Sequence, residues 1–233
     1  MNKELTHAPP VAASAPARSR VYLVDDHAMF REGLRQLIER EPDFVVCGDA
    51  EEAGAALKGI KATAPDLVIV DISLGGASGI DLIKSIKKDY EDLPVLVVSM
   101  HDESLYAERA VRAGAMGYVM KHEPSKTVKI AIRKVLGGDM HLSENMANTI
   151  AGRVLLNNPD QAASPLEALS DRELEVFRML GQGKGVRLIA EEMNVTIPTI
   201  NTFRNRIREK LHLKTSTEVM LRAIQWVQDE TSA

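Results

Sequence analysis

The segment DLVIVDISL, residues 66–74, decides the fold of this chain. Its four apolar residues, 67–70, are mostly β-branched, which is typical of a short strand buried in a parallel sheet. Asp71 follows directly, and residues 73–79 are predicted to form a loop. Asp71 therefore lies at the carboxyl end of a strand, where open α/β sheets bind their ligands.

Three further short apolar runs end at polar residues. They are residues 21–24, followed by Asp25 and Asp26, residues 95–98, followed by Ser99, and residues 116–120, followed by Lys121. Parallel strands that lie side by side end at the same edge of the sheet, so we expect these side chains to share one crevice with Asp71.

The predicted crevice holds three carboxylates, which repel one another unless a cation neutralises them. Oxygen ligands of this kind suit Mg²⁺, and Mg²⁺ implies a phosphate. The Asp71 carboxylate could attack phosphorus and form an acyl phosphate. Ser99 could then donate a hydrogen bond to the new phosphoryl group, and Lys121 could pair with it.

Strands and helices alternate five times over the first part of the chain. The predicted helices are 28–39, 51–62, 80–88, 105–113 and 125–136, and the remaining strand is 44–47. This alternation predicts a doubly wound α/β fold with a five-stranded parallel sheet.

The order and spacing of these motifs resemble the receiver domain of two-component response regulators, which has a flavodoxin-like fold. The resemblance rests on VYLVDDH, DLVIVDISL, LPVLVVSMHDE and AGAMGYVMK. It implies that Asp71 accepts the phosphoryl group and ligates Mg²⁺ together with Asp26, that Asp25 binds the ion through water, and that Ser73 binds it through its backbone carbonyl. It also implies a switch formed by Ser99, Tyr118 and Lys121, and a histidine kinase as partner.

Simpler interpretations exist for each of these residues taken singly. A strand-end Asp usually caps a turn or a helix, and a strand-end Ser usually bonds nearby backbone. Only the five strand-end residues taken together, Asp25, Asp26, Asp71, Ser99 and Lys121, favour a phosphoryl-accepting site. His27 and His101 are interpreted as surface or supporting histidines and are left outside it, because no Cys/His spacing indicates zinc.

Length and composition are compatible with two domains. The 233 residues are 45% hydrophobic and carry a net charge of −4. The single cysteine, Cys47, cannot form an intramolecular disulfide, which fits a cytoplasmic protein, and no apolar run approaches the ~20 residues of a membrane span. We predict a disordered leader at 1–19, the receiver at 20–138, a linker at 139–166 with a helix near 143–156, and a helical domain at 167–231.

The last part of the chain has a purely helical pattern. Ser170 and Glu173 have the spacing of a capping box, and the predicted helices are 171–180, 186–193, 197–211 and 217–227. The short turn at 194–196 is typical of a helix-turn-helix. LSDRE, LIAEEM and RIREKL in this segment resemble the LuxR-type DNA-binding domain of NarL and FixJ family regulators.

The helix predicted at 197–211 has the features of a DNA-reading helix. One face is apolar, the opposite face is polar, and residues 196–214 carry a net charge of +4. The candidate DNA contacts are Thr199, Asn201, Thr202, Arg204, Asn205, Arg206, Arg208, Lys210 and Lys214. Asn201 and Phe203 replace the Lys and His common in the family, and Val186 and Leu188 replace residues that are usually polar.

These features together predict a cytoplasmic, phosphorylation-controlled transcriptional regulator that is not an enzyme. The expected partners are a histidine kinase, double-stranded DNA with an inverted repeat, and a second copy of the chain, with RNA polymerase as a further candidate and no membrane. Two alternatives stay open. One is an aspartyl-phosphate phosphatase, although Ser73 stands where the haloacid dehalogenase type needs a second Asp. The other is a protein-binding module with weakened DNA affinity.

Overall fold

A five-stranded, all-parallel sheet forms the centre of the first domain in the computed structural model. The structure describes residues 18–74, 77–101, 103–155 and 165–231. The strands of this sheet are β1 (Ser19–Val24), β2 (Phe44–Ala50), β3 (Leu67–Val70), β6 (Val95–Ser99) and β7 (Gly117–Met120). Their order in space is β2-β1-β3-β6-β7. The predicted doubly wound parallel sheet is confirmed.

Five helices cover the two faces of this sheet. They are α1 (Ala28–Glu39), α2 (Ala53–Thr63), α3 (Gly79–Asp89), α4 (Glu103–Arg112) and α5 (Ser125–Leu136). Successive strand residues point to opposite faces. Val21 and Leu23 therefore pack towards α1 and α5, whereas Tyr22 and Val24 pack towards α2, α3 and α4. Both faces are apolar because both are buried.

The segment after Asp71 departs from the predicted loop. Two short strands, β4 (Ser73–Leu74) and β5 (Ala77–Ser78), pair antiparallel before α3 begins. Leu74 is buried in the core beside α3. The pairing and the buried Leu74 place residues 73–74 and 77–78 close to Asp71.

The interdomain connection begins by extending the sheet. His141 bridges Gly117 in parallel, with its carbonyl accepting from the Tyr118 N–H at 2.9 Å. Helix α6 (Glu144–Leu155) follows, close to the predicted 143–156, and the Ser143 hydroxyl accepts from the Met146 N–H at 3.2 Å. The first part of the predicted linker therefore packs on the first domain.

The helical domain contains a short 3₁₀ segment, η1 (Pro165–Ala168), and four helices. These are α7 (Asp171–Gly181), α8 (Val186–Glu192), α9 (Ile197–Lys210) and α10 (Ser216–Thr231). Ser170 and Glu173 form the predicted capping box at the start of α7. Asn194 takes φ 51° in the turn between α8 and α9, and Thr196 caps α9.

The predicted domain limits, 20–138 and 167–231, stay predictions. The predicted leader, 1–19, lies outside the described residues up to position 17, but Ser19 is the first residue of β1, where it pairs with Phe44. Within the part of the chain that the structure describes, no helix has both the length and the apolar character that crossing a membrane requires.

Candidate functional site

The five polar residues predicted at strand ends meet at one edge of the sheet. β1 pairs with β3, β3 with β6, and β6 with β7, so the residues that follow these strands become neighbours. The side chains of Asp71 and Lys121 are each only 3% exposed, and Ser99 is fully buried. The strand-end pattern of the sequence thus brings together Asp25, Asp26, Asp71, Ser99 and Lys121.

Both carboxylate oxygens of Asp71 are hydrogen-bonded. The Ser99 hydroxyl donates to Oδ1 at 2.6 Å, and the Lys121 ammonium donates to Oδ2 at 2.7 Å. The same ammonium lies 2.6 Å from Asp25 Oδ2 and 4.4 Å from the centre of the Phe30 ring. Lys121 therefore bridges the two buried acids, and Phe30 packs against its charged end.

The acidic cluster carries more negative charge than Lys121 alone neutralises. Burial and the neighbouring Asp71 raise the pKa of Asp25, against hydrogen bonds from Lys121 and the His27 N–H. Ligand atoms of Asp25, Asp26, His27 and Asp71 lie within 4.8 Å of one another. Carboxylate oxygens suit a hard divalent cation, so the residues present fit one.

Backbone contacts fix the positions of the acids. The Asp71 N–H donates to the Val24 carbonyl at 2.9 Å, and Arg31 donates to the Asp25 carbonyl at 2.5 Å. Gly79 opens α3 against Asp71, where a Cβ atom would lie 2.0 Å from the Asp71 carbonyl oxygen. Sequence reasoning did not single out Arg31 or Gly79, although the glycine shortly after the strand was a usable signal.

Two predicted residues at the rim contact the same histidine. The Tyr118 hydroxyl donates to the His101 carbonyl at 2.9 Å, and the Ser73 hydroxyl lies 2.8 Å from His101 Nε2. The Ser73 N–H also points to Asp71 Oδ1, at 3.4 Å. His101, which the sequence interpretation left outside the site, therefore lies between the acidic cluster and the second domain.

The helical domain packs directly on this rim. Ser73 Oγ donates to Glu175 Oε1 at 3.1 Å, and Arg178 donates to His101 Nδ1 at 3.1 Å. On α4, Arg109 donates to the carbonyls of Leu166 and Leu169, both at 2.8 Å, and to Asp171 Oδ1 at 3.0 Å. No sequence signal pointed to these contacts.

Most of the predicted DNA contacts, on α9 and just after it, are exposed or half-buried. Asn201, Thr202, Asn205, Arg206 and Lys214 are exposed, while Thr199, Arg204 and Arg208 are half-buried. Ile200 and Ile207 are buried beneath them. Lys210 behaves differently, because its ammonium lies 2.6 Å from Glu173 Oε2, a buried carboxylate of α7.

Comparison with known proteins gives the family. Residues 21–133 match the model of the response regulator receiver domain, and residues 167–223 match the model of bacterial regulatory proteins of the luxR family. The response regulator UvrY of Escherichia coli is 31% identical over 205 residues, which cover 88% of this chain and 93% of UvrY. The chain belongs to the two-component response regulators.

Solved structures agree with this assignment. A two-component response regulator of the LuxR family from Aurantimonas is 37% identical, with a TM-score of 0.55, and covers 60% of this chain and 99% of its own. RcsB of Salmonella enterica shares the fold, with a TM-score of 0.56 and 22% identity. The match covers 88% of this chain and 98% of the RcsB chain, and that structure is bound to a promoter in the presence of a phosphomimetic beryllium fluoride. Like other receiver plus LuxR-type response regulators of the NarL/FixJ type, this protein is a DNA-binding regulator of transcription in a two-component system. Proteins of this family are generally not enzymes.

Proposed function

We propose that Asp71 is the residue of this response regulator that accepts the phosphoryl group. The observation that carries the proposal is the pair of donors, Ser99 and Lys121, that hold the two oxygens of its buried carboxylate. A carboxylate oxygen of Asp71 forms a bond to phosphorus while the nitrogen–phosphorus bond of a kinase phosphohistidine breaks, and the leaving imidazole nitrogen keeps the electron pair and takes a proton from solvent. Ser99 and Lys121 are then in place to bind the new phosphoryl oxygens.

The acidic cluster is proposed to bind Mg²⁺. Asp25, Asp26 and Asp71 would hold the ion with the Ser73 carbonyl, and bound Mg²⁺ would offset the charge of the transferring phosphoryl group. Asp25 and Asp71 both pair with the Lys121 ammonium, which is the protein cation next to the proposed ion. Tyr118, which packs beside His101, is proposed to change its contacts when the phosphoryl group is present.

The output is proposed to be sequence-specific DNA binding through α9. Asn201, Thr202 and Asn205 would reach base edges, and Thr199, Arg204, Arg206, Arg208 and Lys214 would contact phosphates. A homodimer on an inverted repeat follows from the two-fold symmetry of helix-turn-helix dimers. A cytoplasmic location and recruitment of RNA polymerase belong to the same proposal.

Phosphorylation of the purified full-length chain tests the assignment of Asp71. We expect acetyl phosphate with Mg²⁺ to add one phosphoryl group, measured as intact mass, and chelation of Mg²⁺ to abolish the addition. Asp71→Asn should take none, whereas the matched control Asp66→Asn, on the opposite edge of the sheet, should behave as wild type. Wild-type stoichiometry in Asp71→Asn would contradict the assignment.

A further inference from the structure

The Arg31 guanidinium joins three parts of the receiver through its three nitrogens. Nη1 donates to the Asp25 carbonyl at 2.5 Å. Nε donates to Asp49 Oδ2 at 2.8 Å, and Nη2 donates to Glu51 Oε1 at 2.6 Å. Asp25 follows β1, Asp49 lies on β2, and Glu51 follows β2. A residue of α1, with its side chain only 12% exposed, therefore holds the ends of two neighbouring strands.

The bond to the Asp25 carbonyl acts on the peptide that joins the first two acids of the cluster. A peptide group is planar, so this carbonyl oxygen shares one plane with the N–H and the Cα atom of Asp26. On the other side of Asp25, its own N–H donates to the Ala50 carbonyl at 3.1 Å. Both peptides that flank Asp25 are therefore restrained, which fixes the direction of its Cα–Cβ bond and of the chain that enters Asp26.

Repulsion within the acidic cluster opposes this arrangement. Ligand atoms of Asp25, Asp26 and Asp71 lie within 4.8 Å of one another, and like charges at that distance repel. The Asp26 side chain is 27% exposed, so it could turn towards water if its peptide were free to rotate. Groups outside the ligand set orient the ligands of a metal site, and loss of one typically weakens metal binding by roughly 10- to 100-fold.

The charge of Arg31 is compensated by its own partners. Asp49 and Glu51 are both carboxylates in contact with the guanidinium, so Arg31 adds little net positive potential at the acidic cluster. Its effect on the cluster is therefore one of hydrogen-bond geometry. The planar guanidinium directs donors to three separate partners, whereas a lysine ammonium has a single nitrogen on a flexible stem.

Arg35, one turn later on α1, provides a comparison within the same helix. Its guanidinium pairs with the same Asp49 carboxylate and lies 3.8 Å from Glu39. None of the contacts that the structure describes for Arg35 reaches the main chain of Asp25. The bond to that carbonyl thus distinguishes Arg31 from Arg35.

We propose that Arg31 is a positioning residue for cation binding, which holds the peptide between Asp25 and Asp26 so that both carboxylates face Asp71. The inference rests on the proposed Mg²⁺ site. Arg31 contacts neither the ion nor the phosphoryl group. By keeping the ligands in place, it lowers the Mg²⁺ concentration that phosphoryl acceptance needs.

Ion binding tests this role without any phosphoryl transfer. The full-length chain is titrated with Mn²⁺, free Mn²⁺ is measured by its electron paramagnetic resonance signal, and the affinity for Mg²⁺ is obtained by competition. Arg31→Met keeps an apolar stem but removes every donor. We expect it to bind one ion, as wild type does, with a dissociation constant raised at least roughly 10-fold. Arg35→Met, which removes the other arginine from the Asp49 carboxylate, should match wild type.

Arg31→Lys separates geometry from charge. The ammonium keeps the positive charge but cannot bind the Asp25 carbonyl, Asp49 and Glu51 in three directions, so the dissociation constant should stay at least roughly 5-fold above that of wild type. Circular dichroism melting checks that each variant is folded, and Arg31→Lys carries the test if Arg31→Met does not fold.

The kinetics of phosphorylation by acetyl phosphate give a second readout. In Arg31→Met the Mg²⁺ concentration at half-maximal rate should rise by the same factor as the dissociation constant, while the rate at saturating Mg²⁺ should approach that of wild type. A merely structural defect would instead lower the number of ions bound per chain and the saturating rate.

The results separate this inference from the function on which it rests. If wild type binds no ion, or if Asp26→Asn binds it with wild-type affinity, the proposed Mg²⁺ site fails. If wild type binds one ion and Arg31→Met binds it equally well, Arg31 has no positioning role. Wild-type affinity in Arg31→Lys would assign the effect to charge, and an equal loss of affinity in Arg35→Met would assign it to the Asp49 contact. Either result would overturn the part given to the Asp25 carbonyl.

Discussion

Lys210 of α9 and Glu173 of α7 form an ion pair at 2.6 Å, so the helix proposed to read DNA is bound to the helix that contacts the receiver. Glu173 is 2% exposed and also accepts from the Ser170 N–H at 2.7 Å. Its charge is therefore buried, and Lys210 is the cation that compensates it. The pair therefore adds a polar contact to the apolar packing of α9 on α7.

Lys210→Ala should destabilise the DNA-binding domain by about 1–3 kcal/mol, because it leaves a buried carboxylate without its cation while Lys210 itself is partly exposed. Trp226, the only tryptophan, packs on Phe177 with ring centres 5.6 Å apart and reports unfolding of this domain by fluorescence. Lys214→Ala, an exposed lysine beyond α9, is the matched control and should leave the denaturation midpoint unchanged. Equal midpoints for both variants would contradict a stabilising role of the pair.

The stability of the same domain should fall in acid. Burial acts to raise the pKa of Glu173, but hydrogen bonds from Lys210 and Ser170 outweigh it, so the pKa lies below the ordinary value of 4.5. A carboxyl whose folded pKa is lowered stabilises above its unfolded pKa and loses that contribution as the pH falls through the folded pKa. Trp226 unfolding curves between neutral pH and about pH 3 should show the loss, and Glu173→Gln should show a smaller pH dependence.

Gly79→Ala should impair phosphorylation of Asp71. The added Cβ would lie 2.0 Å from the Asp71 carbonyl oxygen, so either Asp71 or helix α3 must move. We expect the rate of phosphorylation by acetyl phosphate to fall roughly 10- to 100-fold. Gly33→Ala is the control. Gly33 is an exposed position of α1, and no atom lies within 4 Å of a Cβ placed there. It should phosphorylate normally and gain about 0.5–1 kcal/mol of stability. A normal rate in Gly79→Ala would show that Asp71 tolerates the shift.

Lys121→Ala should still accept a phosphoryl group but should lose the conformational response to it. The variant lacks the cation that contacts Asp71 and Asp25, so we expect slower phosphoryl acceptance and no conformational response. Gel filtration with beryllofluoride and Mg²⁺ measures the dimer shift, with exposed Lys126→Ala as control. A dimer shift of wild-type size in Lys121→Ala would make Lys121 dispensable for switching.

Asn205→Ala and Arg206→Ala should affect DNA binding differently, although both residues are exposed on α9. Asn205→Ala should weaken binding to the preferred DNA site by about 1–3 kcal/mol and should relax the base preference at one position of that site. Loss of Arg206 should weaken all sequences alike and reduce the salt slope by about one. Binding to a randomised site library at two salt concentrations measures both effects. Uniform weakening by Asn205→Ala would place specificity in other residues.

Periodicity predicted the helices well where one face is buried against the sheet. The bounds of α1 and α5 agree with the prediction, since each has an apolar stripe and a polar face. The prediction ended β2 at Cys47, but the strand continues to Ala50. Gly48 lies within the strand, where the Tyr22 ring covers it, and a Cβ there would lie 2.6 Å from that ring.

The strand-end residues of the site could be predicted from the sequence, whereas the contacts that the rim makes with the second domain could not. Adjacent parallel strands bring Asp25, Asp71 and Ser99 together whatever the rest of the chain does. His101 and Arg109 gain their partners from a domain some 60 or more residues away along the chain. Contacts of that kind depend on how two separately folded domains pack, and local pattern carries no information about it.

Arg109 recognises the main chain more than it recognises side chains, since two of its three bonds across the domain junction end on the carbonyls of Leu166 and Leu169. Carbonyls are present whatever residue occupies a position. The junction should therefore tolerate exchange of the output domain for that of a relative, provided that the backbone there keeps its path and that Asp171, Glu175 and Arg178, whose side chains bond to the receiver, are kept. The receiver of this protein thus offers an attachment point for new outputs, because the residues proposed to contact DNA all lie in the part that can be replaced.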